Sequence, residues 1–213
     1  MTFKPKIILP FLAFFFLSAF GGESRAEEKF VLAMGDSLMA GYNLPPDASF
    51  PAQLENWLNQ NGLEVTVLNS GVSGDTTTAG RSRLDWALSG APNGKPDLFI
   101  VEFGGNDMLR GIDPAITRAN MDAILKSLTD KNINVLLMGM LAAPNMGTEY
   151  EAEFNAIFPD LAEKYGVHFY PFYLEGVANI RELNLEDGIH PNEQGIGIMV
   201  ENSGPMILRL LQD

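Results

Sequence analysis

Five short apolar runs alternate with stretches of helical periodicity, and this alternation constrains the fold more than any other feature of the chain. The runs are mostly rich in β-branched or aromatic residues, and they cover residues 29–35, 64–71, 97–105, 134–140 and 167–173. Such runs are typical of parallel strands that are buried on both faces. Strict alternation of strand and helix implies right-handed crossovers. We therefore predict a single α/β domain, doubly wound and flavodoxin-like, with a five-stranded parallel sheet flanked by helices.

The segments between the runs have helical spacing. Residues 51–62 place Leu54, Trp57 and Leu58 on one face, and further helices are predicted over residues 76–90, 113–132, 149–166 and 192–211. The last of these contains GIGIMVENSG, whose glycines favour a looser helix.

The N-terminus has the layout of a secretory signal peptide. Lys4 and Lys6 precede an apolar run over residues 7–20, and Ser24 and Ala26 have the spacing of an A-x-A-like cleavage site. The run is short for a membrane span. We predict that residues 1–26 are a signal peptide and residues 27–213 the mature domain, which is exported to the periplasm or secreted. An uncleaved N-terminal anchor is the alternative.

Composition and charge exclude several classes of partner. The 213 residues include no cysteine, so an exported product depends on its apolar core and not on disulfides. Loss of residues 1–26 removes three basic groups and one acidic group, so the net charge of −13 becomes −15. Such a surface repels phosphate backbones and anionic headgroups. We expect no nucleic-acid partner and no stable membrane insertion after signal removal.

Polar and glycine-rich segments follow the predicted strands. In a doubly wound sheet the binding crevice lies outside the carboxyl ends of the strands, so these segments are considered together. They read GDSLMAGY, NSGVSGDTT, GGNDMLRG, GMLAAPN and EDGIHP. The candidate chemistry at these ends belongs to Ser37, Gly74, Asn106, Asp187 and His190.

Ser37 is the candidate nucleophile, because a strand-to-helix turn presents its hydroxyl at the crevice. Serine needs a base to remove its proton, and His190 is the candidate base, with Asp187 placed to orient its ring. Plainer interpretations are a helix N-cap for Ser37 and a loop histidine beside a capping aspartate. The second histidine, His168, lies in an apolar run and is interpreted as a hydrogen-bonded core or surface residue.

Gly74 and Asn106, with the backbone N–H of Ser37, are candidate donors to an oxyanion. Glycine lets the backbone approach closely, and an asparagine side chain supplies an uncharged donor. A plain turn is the alternative for GGND. Asp75 and Asp107 are interpreted as local turn or cap residues. Ser73 is interpreted as turn structure, because an aspartate replaces the last glycine of a G-x-S-x-G elbow.

The blocks GDSL, a glycine after the second strand, GGND and DGIHP occur in this order over nearly the whole predicted mature chain. The chain thereby resembles the SGNH (GDSL-type) hydrolase family. MGDSLMAGYNL, SGVSGDTTTAGRSRL, VEFGGNDMLRG and PFYLEGVA are similar to its exported bacterial arylesterases and multifunctional thioesterases and lysophospholipases. The resemblance implies the SGNH hydrolase fold and a serine esterase without metal or organic cofactor. The roles it implies are Ser37 as nucleophile, Ser37, Gly74 and Asn106 as oxyanion donors, and Asp187 and His190 as orienting acid and base.

The expected substrates are small-molecule esters with aryl or short- to medium-chain acyl groups, and the resemblance also allows lysophospholipids and thioesters. The predicted substrate-binding residues are Leu109, Leu141 and Ile189. They belong to an apolar set that also includes Leu44, Pro45, Pro46, Met108, Met140 and Met146, for which packing of the core rim is the alternative.

Two other functions stay open at this point. A carbohydrate O-acetylesterase of the same family should have aromatic-lined loops, whereas these loops contain only Tyr42 and Phe50. A non-catalytic binding protein on a hydrolase scaffold would depend more on Trp57, Trp86 and the acidic faces than on the crevice.

Overall fold

The computed structural model describes residues 1–2 and 28–212, and at its centre is a parallel sheet of five strands. The strands are β1 (Lys29–Gly35), β2 (Val65–Gly71), β3 (Leu98–Glu102), β4 (Val135–Met138) and β5 (His168–Tyr170). Their order is β2-β1-β3-β4-β5, and all four pairings are parallel. The predicted fold class and strand order are confirmed.

Eight α-helices connect and flank these strands in the described part of the chain. They are α1 (Ser37–Ala40), α2 (Phe50–Gln60), α3 (Thr77–Leu88), α4 (Gly105–Leu109), α5 (Pro114–Asp130), α6 (Thr148–Asn155), α7 (Ile157–Tyr165) and α8 (Glu193–Gln212). Helix α2 packs against α8, whereas α5 packs between α3 and α7. Short 3-10 helices lie at Pro46–Ala48, Pro92–Gly94, Pro144–Met146 and Arg181–Leu183.

The centre of the sheet is the most deeply buried part of the fold. Every residue of β3 and β4 is buried, as are the last five residues of β1. The edge strands are more open, and β5 begins with an exposed residue. Because packed interiors resist displacement, the carboxyl ends of β1 and β3 are firm supports for the segments that follow them.

A proline explains two of the differences between the predicted and the observed elements. The helix predicted over residues 149–166 is two helices, α6 and α7, that meet at Ala156. Pro159 lacks the N–H that would bond to the carbonyl of Asn155, and its ring crowds that carbonyl. The strand predicted over residues 167–173 ends at Tyr170, since Pro171 cannot donate to the ladder.

Helix α8 is continuous over twenty residues, so the prediction of a loosened helix is wrong. Its glycines allow close packing. A Cβ at Gly195 would lie 2.3 Å from the carbonyl oxygen of Leu183, and one at Gly204 would lie 2.9 Å from the ring of Trp57. Burial of α8 against its neighbours outweighs the low helix propensity of glycine.

The predicted signal peptide falls almost entirely outside the described residues. Within the part of the chain that the structure describes, no helix has the length and apolar character needed to cross a membrane.

Candidate active site

The carboxyl ends of the strands bring the predicted site residues together at one cleft of about 640 Å³. Ser37 follows β1, Gly74 follows β2, and Asn106 follows β3. His190 lies in the long connection between β5 and α8, and Asp187 stands behind it. Ser37, Gly74, Asn106 and His190 all line the cleft.

Ser37 is the first residue of α1, a four-residue helix that Asp36 caps. One carboxylate oxygen of Asp36 accepts a hydrogen bond of 2.9 Å from the N–H of Leu38. The alternative interpretation of Ser37 as the N-cap is therefore wrong. The first N–H groups of a helix have no partner within it, so the backbone N–H of Ser37 is available as a donor. Glycine is required at position 35, because a Cβ there would lie 2.6 Å from the Glu102 carboxyl.

The connection from β5 to α8, residues 171–192, carries the candidate base and is called here the base loop. The N–H of Leu185 donates to the carbonyl of His190 at 2.7 Å and closes a tight loop around Asp187. Asp187 Oδ2 lies 2.7 Å from His190 Nδ1, and His190 Nε2 lies 2.9 Å from Ser37 Oγ. Side-chain contacts thus run unbroken from the carboxylate to the serine hydroxyl.

Asp187 is held as a carboxylate by its surroundings. Burial raises its pKa, but hydrogen bonds from the backbone N–H groups of His190 and Ile189 and from the His190 ring outweigh that effect. The net result lowers the pKa of Asp187 from 3.8 to about 2. It therefore carries a negative charge throughout the pH range in which an imidazole exchanges its proton.

Tyr42 contacts the candidate base directly, a contact that the sequence interpretation did not foresee. Its ring lies over the His190 imidazole, with centroids 4.4 Å apart and planes 34° from parallel. Tyr42 lines the cleft and is 40% exposed. The one available signal was its position five residues after Ser37 in GDSLMAGY. Phe50, in contrast, is fully buried and packs edge-on against Tyr173.

The two candidate oxyanion donors are each fixed by a long-range contact. Gly74 adopts a positive φ of 86° in a turn, and its carbonyl accepts a hydrogen bond of 2.7 Å from Arg110. Asn106 Nδ2 donates to Asp36 Oδ2 at 2.9 Å. A second N–H on the same nitrogen remains for another acceptor.

Asp107 is not the local turn or cap residue that was expected. It is fully buried and accepts hydrogen bonds from the N–H of Thr77 at 2.8 Å, from the Thr77 hydroxyl at 2.5 Å and from the Thr117 hydroxyl at 3.0 Å. These bonds join α3, α4 and α5 next to Asn106. The pairing needs the tertiary fold, since Thr77 lies 30 positions from Asp107.

Asp75 is likewise more than a turn residue, because it forms an ion pair with Arg83 at 2.5 Å. The same guanidinium donates to the carbonyls of Ser70 and Gly35, both at 2.9 Å. Arg83 therefore ties the ends of β1 and β2 to the turn that carries Gly74. Ser73 lies exposed in that turn, where the N–H of Asp75 bonds to the carbonyl of Val72, in agreement with its interpretation as turn structure.

Part of the predicted apolar set reaches the cleft. Leu109, Leu141 and Ile189 line it with exposures of 55%, 42% and 45%, so they are open to a ligand. Met108 and Met140 also line it, whereas Leu44 packs against the core, as the rim alternative proposed. Further apolar walls that were not predicted come from Phe172, Leu174 and Pro144.

His168 lies exposed at the start of β5, at the opposite end of the sheet from the cleft, and so is a surface histidine. Across the residues that the structure describes, no group of three or more His, Asp or Glu side chains is arranged to hold a metal ion.

Comparison with known proteins identifies the family. Residues 33–197 match the model of the GDSL-like Lipase/Acylhydrolase family. An arylesterase from Vibrio mimicus is 40% identical over 187 residues, which cover 88% of this chain and 90% of the relative. The chain belongs to the GDSL-like lipase/acylhydrolase family.

Other relatives extend the range of named activities. Thioesterase 1/protease 1/lysophospholipase L1 of Escherichia coli K12 is 37% identical over 163 residues, which cover 76% of this chain and 75% of that one. The crystal structure of AlinE4, an SGNH-hydrolase family esterase, matches with a TM-score of 0.74 and 45% identity over 87% of this chain and 98% of that one. The chain is therefore a carboxylic ester hydrolase, and the alternative of a non-catalytic binding protein is set aside.

Proposed function

We propose that this esterase works through Ser37 as nucleophile, His190 as base and Asp187 as the group that orients the base. The observation that carries the proposal is the continuous contact from Asp187 Oδ2 through both His190 ring nitrogens to Ser37 Oγ, with distances of 2.7 and 2.9 Å. The carboxylate fixes the tautomer in which Nδ1 carries the proton, so that Nε2 is free to accept the proton of the serine.

The reaction then proceeds in two halves. His190 takes the proton of Ser37 while Oγ bonds to the ester carbonyl carbon, and the negative charge moves to the carbonyl oxygen. The N–H groups of Ser37 and Gly74 and the side chain of Asn106 stabilise that oxygen. His190 next gives its proton to the departing alcohol, which leaves an acyl-enzyme. Water attacks the acyl-enzyme in the same way and restores Ser37.

The cleft favours uncharged esters with an apolar acyl or aryl group. Its described lining is largely apolar, and Leu109, Leu141 and Ile189 stand at its rim. The described lining residues include acidic Asp36 and Glu151 but no lysine or arginine. Such a lining does not attract strongly anionic substrates such as acyl-CoA. We propose aryl and short- to medium-chain acyl esters as substrates, ahead of lysophospholipids and thioesters.

The proposed location is outside the cytoplasm. The layout of residues 1–26 is that of a cleaved signal peptide, and the acidic chain without cysteine is suited to an exported product that needs no disulfides. N-terminal sequencing of the protein from an exporting bacterial host tests this, with Glu27 expected as the first residue. An intact N-terminus on membrane-bound protein would instead support the uncleaved anchor.

The experiment that tests the mechanism is hydrolysis of p-nitrophenyl acetate, butyrate and octanoate by the mature protein and by Ser37→Ala. We expect Ser37→Ala to lose at least about 1000-fold in kcat, because removal of a triad member leaves only binding and the oxyanion donors. Ser73→Ala, which changes the other serine at the cleft, is the matched control and should stay within about threefold of wild type. Equal loss in both variants would overturn the assignment. A folded wild type without turnover on all three esters would redirect the search to acetylated sugars.

A further inference from the structure

Asp36 makes two contacts with its two carboxylate oxygens, and only one of them is a helix cap. Oδ1 accepts from the N–H of Leu38, and Oδ2 accepts from the side-chain amide of Asn106, both at 2.9 Å. Asp36 is 1% exposed, so water does not compete for these oxygens. The residue before the nucleophile is thus bonded to a candidate oxyanion donor 70 positions away.

The contact decides which end of the Asn106 amide faces the cleft. The oxygen and nitrogen of an asparagine amide have nearly the same shape, so packing alone distinguishes them poorly. A carboxylate can only accept hydrogen bonds, and therefore selects the nitrogen. With one N–H held by Asp36, the other N–H of the same nitrogen is left for an acceptor in the cleft. A reversed amide would present its oxygen, which repels an oxyanion.

A second buried carboxyl, that of Glu102, lies next to Asp36, and of the two it is Asp36 that is ionised. The Glu102 side chain is fully buried; its Oε2 accepts a long hydrogen bond of 3.4 Å from the backbone N–H of Asp36, and its Oε1 has no partner among the described residues. Burial, and then the charge of Asp36, raise the pKa of Glu102 well above 4.5. Two adjacent buried carboxyls do not both ionise at neutral pH, and the better hydrogen-bonded Asp36 is the one that does.

Asp36 keeps its charge at neutral pH, although burial raises its pKa from 3.8 to about 6. The hydrogen bonds from Leu38 and Asn106 and the charge of His190 oppose that rise, and Asp107 adds to it. The other ionisable group near the pair is Tyr173, whose pKa burial raises above 10. Above about pH 6 the carboxylate is therefore the acceptor that Asn106 requires.

We propose that Asp36 is a positioning residue for the oxyanion hole, in which its carboxylate orients the Asn106 amide toward the substrate. The inference rests on the function proposed above and extends it. Besides capping α1, Asp36 would then help to stabilise the transition state, because it orients a donor to the oxyanion.

The decisive variant is Asp36→Asn. Asparagine is an equally good N-cap, so the bond from Leu38 is kept, but its NH₂ group now faces the NH₂ group of Asn106. Asn106 must turn and present its oxygen to the cleft. We expect kcat for p-nitrophenyl butyrate to fall by about 100- to 1000-fold, the usual loss for one oxyanion donor, while KM changes less than about threefold.

Asp113→Asn is the matched control. Asp113 caps α5 through the N–H of Ala115 at 2.8 Å, lies exposed, and is not among the described residues that line the cleft. It undergoes the same chemical change at the same helix position, so its kcat should equal that of wild type. A similar loss in both variants would show that the effect comes from helix capping, and would overturn the proposal.

A double-mutant cycle separates action through Asn106 from a general effect on the fold. Once Asn106→Ala has removed the donor, adding Asp36→Asn should lower kcat by less than about a further threefold. If the double variant instead shows the product of the two single losses in kcat, the proposal is overturned. If Asn106→Ala itself leaves kcat unchanged, the oxyanion hole proposed above is wrong. If Asn106→Ala is impaired and Asp36→Asn is not, only the present inference fails. Should Asp36→Asn not fold, Asp36→Ser, which keeps a capping oxygen but not the acceptor, decides in the same way.

Discussion

The two sides of the cleft are held in different ways. The nucleophile side, residues 35–37, 70–77 and 102–107, is bonded across the fold: Asp107 joins three helices, and Arg83 joins the ends of two strands. The base loop is bonded largely within itself, as by the hydrogen bond between Leu185 and His190. The proposed oxyanion donors therefore depend on packing across the whole fold, whereas the proposed acid–base pair depends on a local loop.

The largest expected effect comes from a substitution in the base loop that leaves the fold unchanged. Asp187→Asn keeps an acceptor for the backbone N–H groups but offers the ring an amide, so His190 adopts the wrong tautomer. We expect kcat to fall by about 1000- to 10,000-fold with little change in Tm. Exposed Glu186→Gln, one residue away, is the control and should keep full activity. A fall in Tm of several degrees with only modest loss of kcat would mean that the base loop supports the fold.

The second largest expected effect concerns the nucleophile side, which is bonded across the fold. Asp107→Asn leaves an amide N–H₂ facing donors in a buried site, and such replacements cost about 2–4 kcal/mol of unfolding free energy. Urea unfolding measures it. Thr117→Val removes one of the three bonds and should cost about 1 kcal/mol. If the unfolding free energy of Asp107→Asn lies within about 0.5 kcal/mol of the wild-type value, the hydrogen bonds to Asp107 do not stabilise the nucleophile side.

A smaller effect concerns the buried carboxyl on the same side. Because the pKa of Glu102 is raised, the folded state keeps a proton that the unfolded state releases, so stability is complete below about pH 4.5 and falls as pH rises. Glu102→Gln removes this loss, which amounts to at most about 1.4 kcal/mol per pH unit.

The measurement is urea unfolding of wild type and Glu102→Gln from pH 5 to 7, where we expect the variant to gain stability relative to wild type. In Glu102→Gln, part of the pH dependence of the stability should persist up to about pH 6, because the pKa of Asp36 is also raised. Exposed Glu163→Gln, the control, should follow the wild-type curve. Parallel curves for Glu102→Gln and wild type would show that Glu102 is charged in the folded state.

The smallest expected effect concerns the contact between Tyr42 and His190 of the base loop. The Tyr42 ring, which lies in the turn after α1, contacts the His190 imidazole, and an aromatic contact of this kind is worth about 0.5–1.5 kcal/mol. We expect Tyr42→Ala to lower kcat/KM for p-nitrophenyl acetate about 2- to 12-fold, and Tyr42→Phe to restore it. A Phe variant as poor as the Ala variant would assign the effect to the hydroxyl instead of the ring.

The sequence predicted what short-range patterns encode. The apolar runs identified all five strands, and the three-residue spacing of Asp187 and His190 identified the local pair, because both depend on neighbours along the chain. Prolines lie at the breaks near Pro159 and Pro171, but Pro205 lies inside α8 without ending it, so a proline alone does not predict where an element ends.

What escaped prediction depends on residues far apart in sequence. The bonds from Asp107 to Thr77 and from Asp36 to Asn106 exist only when strand ends meet, and no spacing encodes them. Glu102 did leave a signal, as the lone charge within the apolar core of a strand, IVEFG. A carboxyl in such a position needs a protonated state or a partner, which makes it worth examining in any sequence.

The contact between Ser37 and His190 joins positions 153 residues apart. A chain that stopped before Asp187 would lack the proposed base and also helix α8, which packs against α2, and so is not expected to turn over an ester. The earliest and latest parts of the domain must both be in place before the first bond is broken. Ester turnover is thus expected to report complete assembly of the domain.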